Sequence, residues 1–272
     1  MRWIWITGSA SGLGRHLTTE LVNKGYSILA TDINMLALDQ AINEEQWPTE
    51  QVTLAALDIT ELAQWQALFK LSVAQGKQFS HLLNIAGFIE PSCGYKQPSR
   101  QIEKHININL MGIVNGCDTL LPHFQQSGAG HIINIASLAG IAPVPGVVAY
   151  STSKAAVRSF SNGLAMELKL DNIPVNVTCV CPDLISTPMM EKQLTYGDHS
   201  KLVFSGGKAL TVEQVGQLIL GPVWRNKTIE VAIPFKREWQ VRLTALFPNR
   251  MMGLYRYLAN KGRRKLRVFH KQ

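Results

Sequence analysis

The sequence is short of the features that would take it outside the ordinary water-soluble domains. It has four cysteines in 272 residues, and only two of them, Cys179 and Cys181, are neighbours. No second Cys/His pair stands at zinc spacing, so neither a disulfide framework nor a metal site is expected. A chain of this length buries enough apolar surface to need no such staple. No apolar run approaches the ~20 residues of a membrane-spanning helix. No basic start, apolar stretch and small-residue cleavage site opens the chain; residues 1–6 run straight into Thr7-Gly8. Internal repeats and low-complexity linkers are missing too. These absences lead us to expect a reduced, cytoplasmic protein with no resident metal.

Acidic residues are also missing from one stretch. The formal net charge is +8, from 27 Lys/Arg and 19 Asp/Glu. Eleven of those cations lie from Lys236 onward, against one carboxylate, Glu238. The body before them is slightly acidic. Basicity therefore belongs to the tail and has to be explained separately.

What is present is an alternation. Apolar runs at 2–6, 27–31, 51–57, 81–84, 130–136, 174–180 and 228–233 read as strands. Amphipathic segments at 12–24, 34–45, 61–74, 99–125 (one or two helices) and 150–170 read as helices, and Thr211 to Gln214 has the capping-box pattern that starts another. Strands apolar along their whole length, separated by helices, predict a doubly wound parallel sheet covered on both faces. Residues 1–235 are expected to form one such domain. The segment 183–207 has no clear period and reads as a mobile lid.

The first strand-to-helix turn is Thr7-Gly8-Ser9-Ala10-Ser11-Gly12-Leu13-Gly14. Glycines there allow a tight turn and close backbone approach, and the helix start offers free N–H groups and a positive dipole end to a diphosphate. Asp32 ends the second strand about 20 residues on, where a carboxylate bonds a ribose 2′-hydroxyl and repels a 2′-phosphate. NAD is therefore expected in preference to NADP. Arg15 is the counter-signal, and we read it as solvent-facing.

Tyr150 and Lys154 stand at i, i+4 on one helix face. A phenol working near neutrality needs its pKa lowered by roughly three units, about 4 kcal/mol, and a neighbouring ammonium and a positive nicotinium ring are the expected sources. Ser137 ends the fifth strand thirteen residues earlier, where open α/β sheets bind ligands. Asn109 sits inside a helix, a poor place for an amide without a partner.

With these motifs in order, the sequence resembles the short-chain dehydrogenases/reductases over roughly residues 1–235. The matching elements are Thr7-Gly-x-x-x-Gly12-x-Gly14, Asp58-Ile59-Thr60, Asn84-Ile-Ala86-Gly87, Asn109, Ser137, Tyr150-x-x-x-Lys154 and Ile185-Ser186-Thr187. The resemblance implies hydride transfer between NAD(H) and an alcohol or carbonyl. It makes Tyr150 the acid/base, has Lys154 bind the nicotinamide ribose and lower the tyrosine pKa, and has Ser137 position the substrate. It gives Asn109 a proton-relaying water. It puts Gly8, Ser11, Leu13, Asp58, Ile59, Asn84, Ala86, Gly87, Pro182, Ile185 and Thr187 around the cofactor. A homodimer or homotetramer is implied as well. Ile85 and Asp183 depart from the family pattern, where Asn and Gly are usual, and Asp183 puts the shape of the nicotinamide pocket in doubt. The alternative reading is a catalytically silent NAD-binding regulator or scaffold of the same fold.

The tail, 236–272, lies outside the resemblance and reads as a basic amphipathic helix pair interrupted at Pro248. Its apolar residues are first expected to cover the lid or a subunit contact. The alternative is a membrane surface, which would make the protein peripheral and suit a lipophilic substrate. No nucleic-acid motif is present, and no such partner is expected.

Overall fold

The computed structural model describes residues 2–196, 201–250 and 252–269, without the side chains of 192 and 267–269. Seven strands form one sheet in the order β3-β2-β1-β4-β5-β6-β7: β1 (Arg2–Thr7), β2 (Ser27–Asp32), β3 (Val52–Ala56), β4 (Gln78–Asn84), β5 (Gly130–Ile135), β6 (Val175–Pro182) and β7 (Glu230–Ile233). Every pair is parallel. The chain reverses its direction of winding between β1 and β4, so a crevice opens beyond their carboxyl ends.

Alternation along β1 feeds two cores. Ile4 and Ile6 face one layer, with Leu17 and Leu21 of α1 (Gly12–Asn23), Leu38 of α2 (Met35–Glu44) and Val215 of α8 (Val212–Leu218). Trp5 faces the other, with Trp65 of α3 (Leu62–Ala74), Leu120 and Phe124 of α5 (Gly112–Ser127) and Val157 of α6 (Val148–Leu170). Trp5 lies 4.9 Å from Trp65 between ring centroids and donates its indole N–H to Thr31 Oγ1. Each such buried side chain contributes roughly 1.5–3 kcal/mol.

The segment expected as one or two helices at 99–125 is three pieces. Helix α4 (Ser99–Ile106) runs into a wide π turn, Asn107–Met111, before α5 resumes. Such wide turns occur often at functional sites. The lid segment contains α7 (Pro188–Leu194) and a short 3₁₀ turn, Val203–Ser205; residues 197–200 lie outside the described residues. A short helix, α9 (Trp224–Asn226), precedes β7. The tail is the expected helix pair, α10 (Phe235–Leu246) and α11 (Met252–Phe269), on either side of Pro248. Met251 and the Phe269 side chain fall outside the described residues.

Candidate active site

A cleft of about 1560 Å³ opens at the carboxyl ends of the strands. Ligand pockets are usually roughly 300–1,000 Å³, so it has room for a dinucleotide and a second molecule. Gly8, Ser11, Gly12, Leu13 and Gly14 form one wall. Gly8 has φ +72°, and a Cβ there would stand 2.9 Å from the Ala86 backbone. A Cβ on Gly14 would overlap the Gly8 carbonyl. Ser11 makes no side-chain cap to α1, so the N–H groups of its first turn are left for an anion in the cleft. Turn and helix start fit a diphosphate.

Asp32 lines the same wall. Its Oδ2 accepts from Ala10 N at 3.2 Å and its Oδ1 from Asn34 N at 3.0 Å, which ties the glycine turn to the start of α2. Arg15 differs from expectation. It reaches across to Glu44 and Glu45 at 2.8 and 2.7 Å, so its charge is already matched. Asp58 holds its own turn through Thr60 N and Oγ1, and Ile59 caps the π turn by packing against Gly112. Asp58, Ile59, Ala86, Gly87, Pro182, Ile185 and Thr187 all line the cleft. Thr187 comes from the lid and its methyl packs over Gly12.

Two of the expected residues do not reach the cleft. Asn84 is buried, donating to Asn134 Oδ1 at 2.8 Å, and Asn134 in turn donates to Ser161 Oγ at 2.9 Å. This polar bridge fastens β4 and β5 to α6, because a buried amide must find partners in the protein. Asn109 is also fully buried. It accepts from Phe88 N at 2.7 Å and donates to Phe88 O and Ser153 Oγ, both at 2.9 Å. Both its N–H groups are committed, and it clamps the loop carrying Gly87 against α6.

Tyr150, Ser137 and Lys154 do meet in the cleft. Ser137 Oγ accepts from Ala139 N at 3.1 Å and donates to Pro182 O at 3.4 Å, with Tyr150 in the same cleft lining. Lys154 projects from the next turn of α6, donates to Ile135 O at 2.7 Å, and stands 5.8 Å from the Tyr150 ring centroid. The expected lowering of the phenol pKa is not what this arrangement produces. Burial pushes Tyr150 up to about 12, with Ser137 pulling the other way. Burial likewise brings Lys154 down to about 8. Desolvation penalises each charged form more than their separation lets them stabilise one another.

Sequence reasoning missed Ser153. It is buried between Tyr150 and Lys154, donates to the Tyr150 carbonyl at 2.8 Å and receives Asn109. A small hydroxyl inside the Tyr-x-x-x-Lys spacing was the available signal. Thr7 was quoted only as part of the motif, yet its Oγ1 accepts from Ile85 N and Ala86 N at 3.1 and 3.2 Å. Asp183 turns the chain without strain: the non-glycine residues with positive φ are Gln46, Asn172 and Lys227. Its carboxylate takes Leu184 N and faces Arg237 of α10 at 3.6 Å. The tail also lines the cleft, through Val241, Leu243, Leu254, Tyr255 and Leu258.

The model of the short chain dehydrogenase family matches residues 2–196. SadH of Mycobacterium tuberculosis, named only as an oxidoreductase, is 36% identical over 182 residues, 67% of this chain and 66% of its own. The chain thus spans just under two thirds of that relative. The 2-(R)-hydroxypropyl-CoM dehydrogenase of Xanthobacter autotrophicus is 31% identical over 194 residues, 70% of this chain and 76% of its own. Among solved structures, a closed serine dehydrogenase complexed with NADP+ superposes with a TM-score of 0.76 at 25% identity, covering 85% of this chain and 94% of that one. A short-chain dehydrogenase/reductase from Burkholderia phymatum in complex with NAD gives 0.80 at 21% identity, covering 91% and 94%, and supports the fold. The chain belongs to the short-chain dehydrogenase family, whose members are Rossmann-fold oxidoreductases acting on CH–OH groups with NAD or NADP.

Proposed function

We propose that the protein interconverts a lipophilic secondary alcohol and its ketone, with NAD(H) as coenzyme and Tyr150 moving the proton. The observation that carries this reading is the convergence of Tyr150, Ser137 and Lys154 on one cleft, with the Lys154 ammonium 5.8 Å from the Tyr150 ring centroid. NAD(H), when bound, accepts or supplies the hydride.

The chain's own residues do the rest. The start of α1, with Gly8, Ser11, Gly12, Leu13 and Gly14, holds the diphosphate. Asp32 takes the adenosine ribose, and Arg15 is held by Glu44 and Glu45 and so is not offered to a 2′-phosphate. This favours NAD. Asp58 and Ile59 flank the adenine; Ala86, Gly87, Pro182, Ile185 and Thr187 flank the nicotinamide half. Ser137 and Tyr150 together orient the substrate oxygen, and Tyr150 gives it a proton in reduction or takes one in oxidation. Lys154 bonds the nicotinamide ribose and keeps a positive charge near the phenol. Asn109 and Asn84 are positioning residues, holding the Gly87 loop and the β4–β5 edge. Apolar groups from the lid (Met189, Met190) and the tail (Val241, Tyr255) close the substrate side, which suits a lipophilic molecule. Met166 and Leu170, exposed on α6, leave that helix with an apolar edge for a homo-oligomer.

The test is NAD-linked absorbance change across hydroxysteroids, medium-chain alcohols and 3-oxo compounds. Turnover that disappears in Tyr150→Phe while cofactor binding persists is the expected result. Binding with no turnover of any class would overturn the reading.

A further inference from the structure

Helix α10 carries its apolar stripe on the side facing away from the protein. Phe235, Trp239, Leu243 and Leu246 recur at spacings of four, four and three, which places them on one helix face. They are 68%, 56%, 53% and 70% exposed. The opposite face is charged and turned inward. Arg237 faces Asp183, and Arg242 pairs with Glu230 of β7 and with Glu238, while Glu230 also binds Arg158 of α6. These pairs fix the rotation of α10, since turning the stripe inward would break the Arg242–Glu230 and Arg237–Asp183 pairs. Exposed apolar side chains continue with Phe247 and, beyond Pro248, with Met252, Leu254 and Tyr257. Of eighteen large apolar side chains exposed among the described residues, eight lie between Phe235 and Tyr257, so the exposure is a patch and not scatter.

Three observations say what covers it. Besides the inward-paired Arg237 and Arg242, the segment from Lys236 holds nine cations against one carboxylate, a balance that suits a polyanionic surface; a second copy would bring one basic tail against another. Its apolar members include Phe235, Trp239, Phe247 and Tyr257, and aromatic side chains settle at the level of lipid headgroups. Leu243 and Leu254 belong both to this patch and to the lining of the cleft, so the patch runs into the cleft's mouth. Among the described residues no helix is long and apolar enough to cross a membrane; contact would lie in the plane of the interface.

We propose that α10 and α11 form a docking surface for an anionic lipid bilayer, with the mouth of the cleft at Leu243 and Leu254 turned toward the lipid. Substrate would then enter from the bilayer and not from water. That last consequence rests on the proposed activity; the docking does not.

The intact protein is floated with phosphatidylcholine vesicles, with and without phosphatidylglycerol. We expect recovery with the anionic vesicles, falling as salt is raised. In Trp239→Glu/Leu246→Glu, which changes two exposed positions, recovery should fall by more than about tenfold. The fold of this variant is checked by its melting temperature and its NAD affinity. Orientation is read from a polarity-sensitive fluorophore on Gln240→Cys in a Cys93→Ser background, since Gln240 is exposed on α10 and lines the cleft. Its emission should shift to the blue on adding anionic vesicles. Failure of the wild type to float, or equal flotation of the glutamate variant, overturns the docking. A change from oligomer to monomer in that variant, seen by ultracentrifugation, would make the patch an interface between copies and overturns it too. Flotation without the spectral shift overturns the orientation. None of these readouts uses turnover, so they fail or succeed independently of the assigned activity.

Discussion

The Lys154 ammonium is held 2.7 Å from the Ile135 carbonyl, at the end of the strand that leads into Ser137. The strand end that leads into Ser137 thus also anchors the cation behind Tyr150. Removing the phenol oxygen should leave this scaffold intact. Tyr150→Phe is expected to lower kcat by roughly 10²–10⁴-fold, with NAD affinity unchanged in a fluorescence titration. Equal losses in affinity and turnover would give Tyr150 a merely structural part.

The two pKa directions set a pH profile. In the proposed reaction, reduction uses a protonated Tyr150, available throughout the range below about 12, and a charged Lys154, which is lost as pH rises through about 8. The reductive kcat should therefore be flat at neutral pH and fall above about 8. Oxidation needs a proton acceptor and should rise with pH. Lys154→Arg, which stays charged, should remove the alkaline fall. A profile unchanged in that variant would assign the titration elsewhere.

Asp32 accepts from Ala10 and Asn34, and in the proposed preference for NAD it also repels a 2′-phosphate. Asp32→Ala should shift the ratio of kcat/KM for NADP over NAD upward by about 100-fold, a few kcal/mol of removed repulsion. It should also cost about 1 kcal/mol of stability through the lost acceptors. Parallel steady-state assays and denaturant melts separate the two effects.

Ser153→Ala tests the buried clamp. Loss of the bonds to Asn109 and to the Tyr150 carbonyl should cost about 1–3 kcal/mol in a urea melt. It should lower kcat several-fold with KM for NAD nearly constant. Restoration by Ser153→Thr, which keeps the hydroxyl, would support positioning; no recovery would point to packing alone.

Acid should destabilise the protein from the end of the sheet opposite the cleft. His81 is stacked on Trp224 at 3.9 Å and lies 5.7 Å from His131. Burial, the facing His131, Lys227 and Arg2 bring His81 down to about 3, and burial with Lys227 brings His131 to about 4. Both are folded as neutral rings. Their contribution is complete above the unfolded value near 6.5 and is lost as pH falls below it toward the folded values. At about pH 5 the loss is roughly 2 kcal/mol per histidine. His81→Phe should flatten the dependence of melting temperature on pH between about 6.5 and 5.

Much of the fold and site can be read from local pattern. The alternation of apolar runs with amphipathic segments specifies a parallel sheet, because β-strands buried on both faces and their crossover helices each have their own period. The glycine turn, Asp32, Ser137 and the Tyr150–Lys154 pair can be picked out by residue type and spacing, and the fold brings them to one cleft. Pro248 marks the break between the tail helices for the same local reason. Only tertiary structure decided the rest. Asn84, grouped with the cofactor residues but also expected to stabilise the sheet, and Asn109, expected by resemblance to anchor a water, have partners that only packing specifies: Asn134 for the first, Phe88 and Ser153 for the second. The phenol pKa moves against expectation because desolvation depends on what surrounds a group, which sequence neighbours do not specify. The outward stripe of α10 is the clearest case: its periodicity shows an apolar face, but the ion pairs of Arg237 and Arg242 with residues distant in the chain determine which way that face looks.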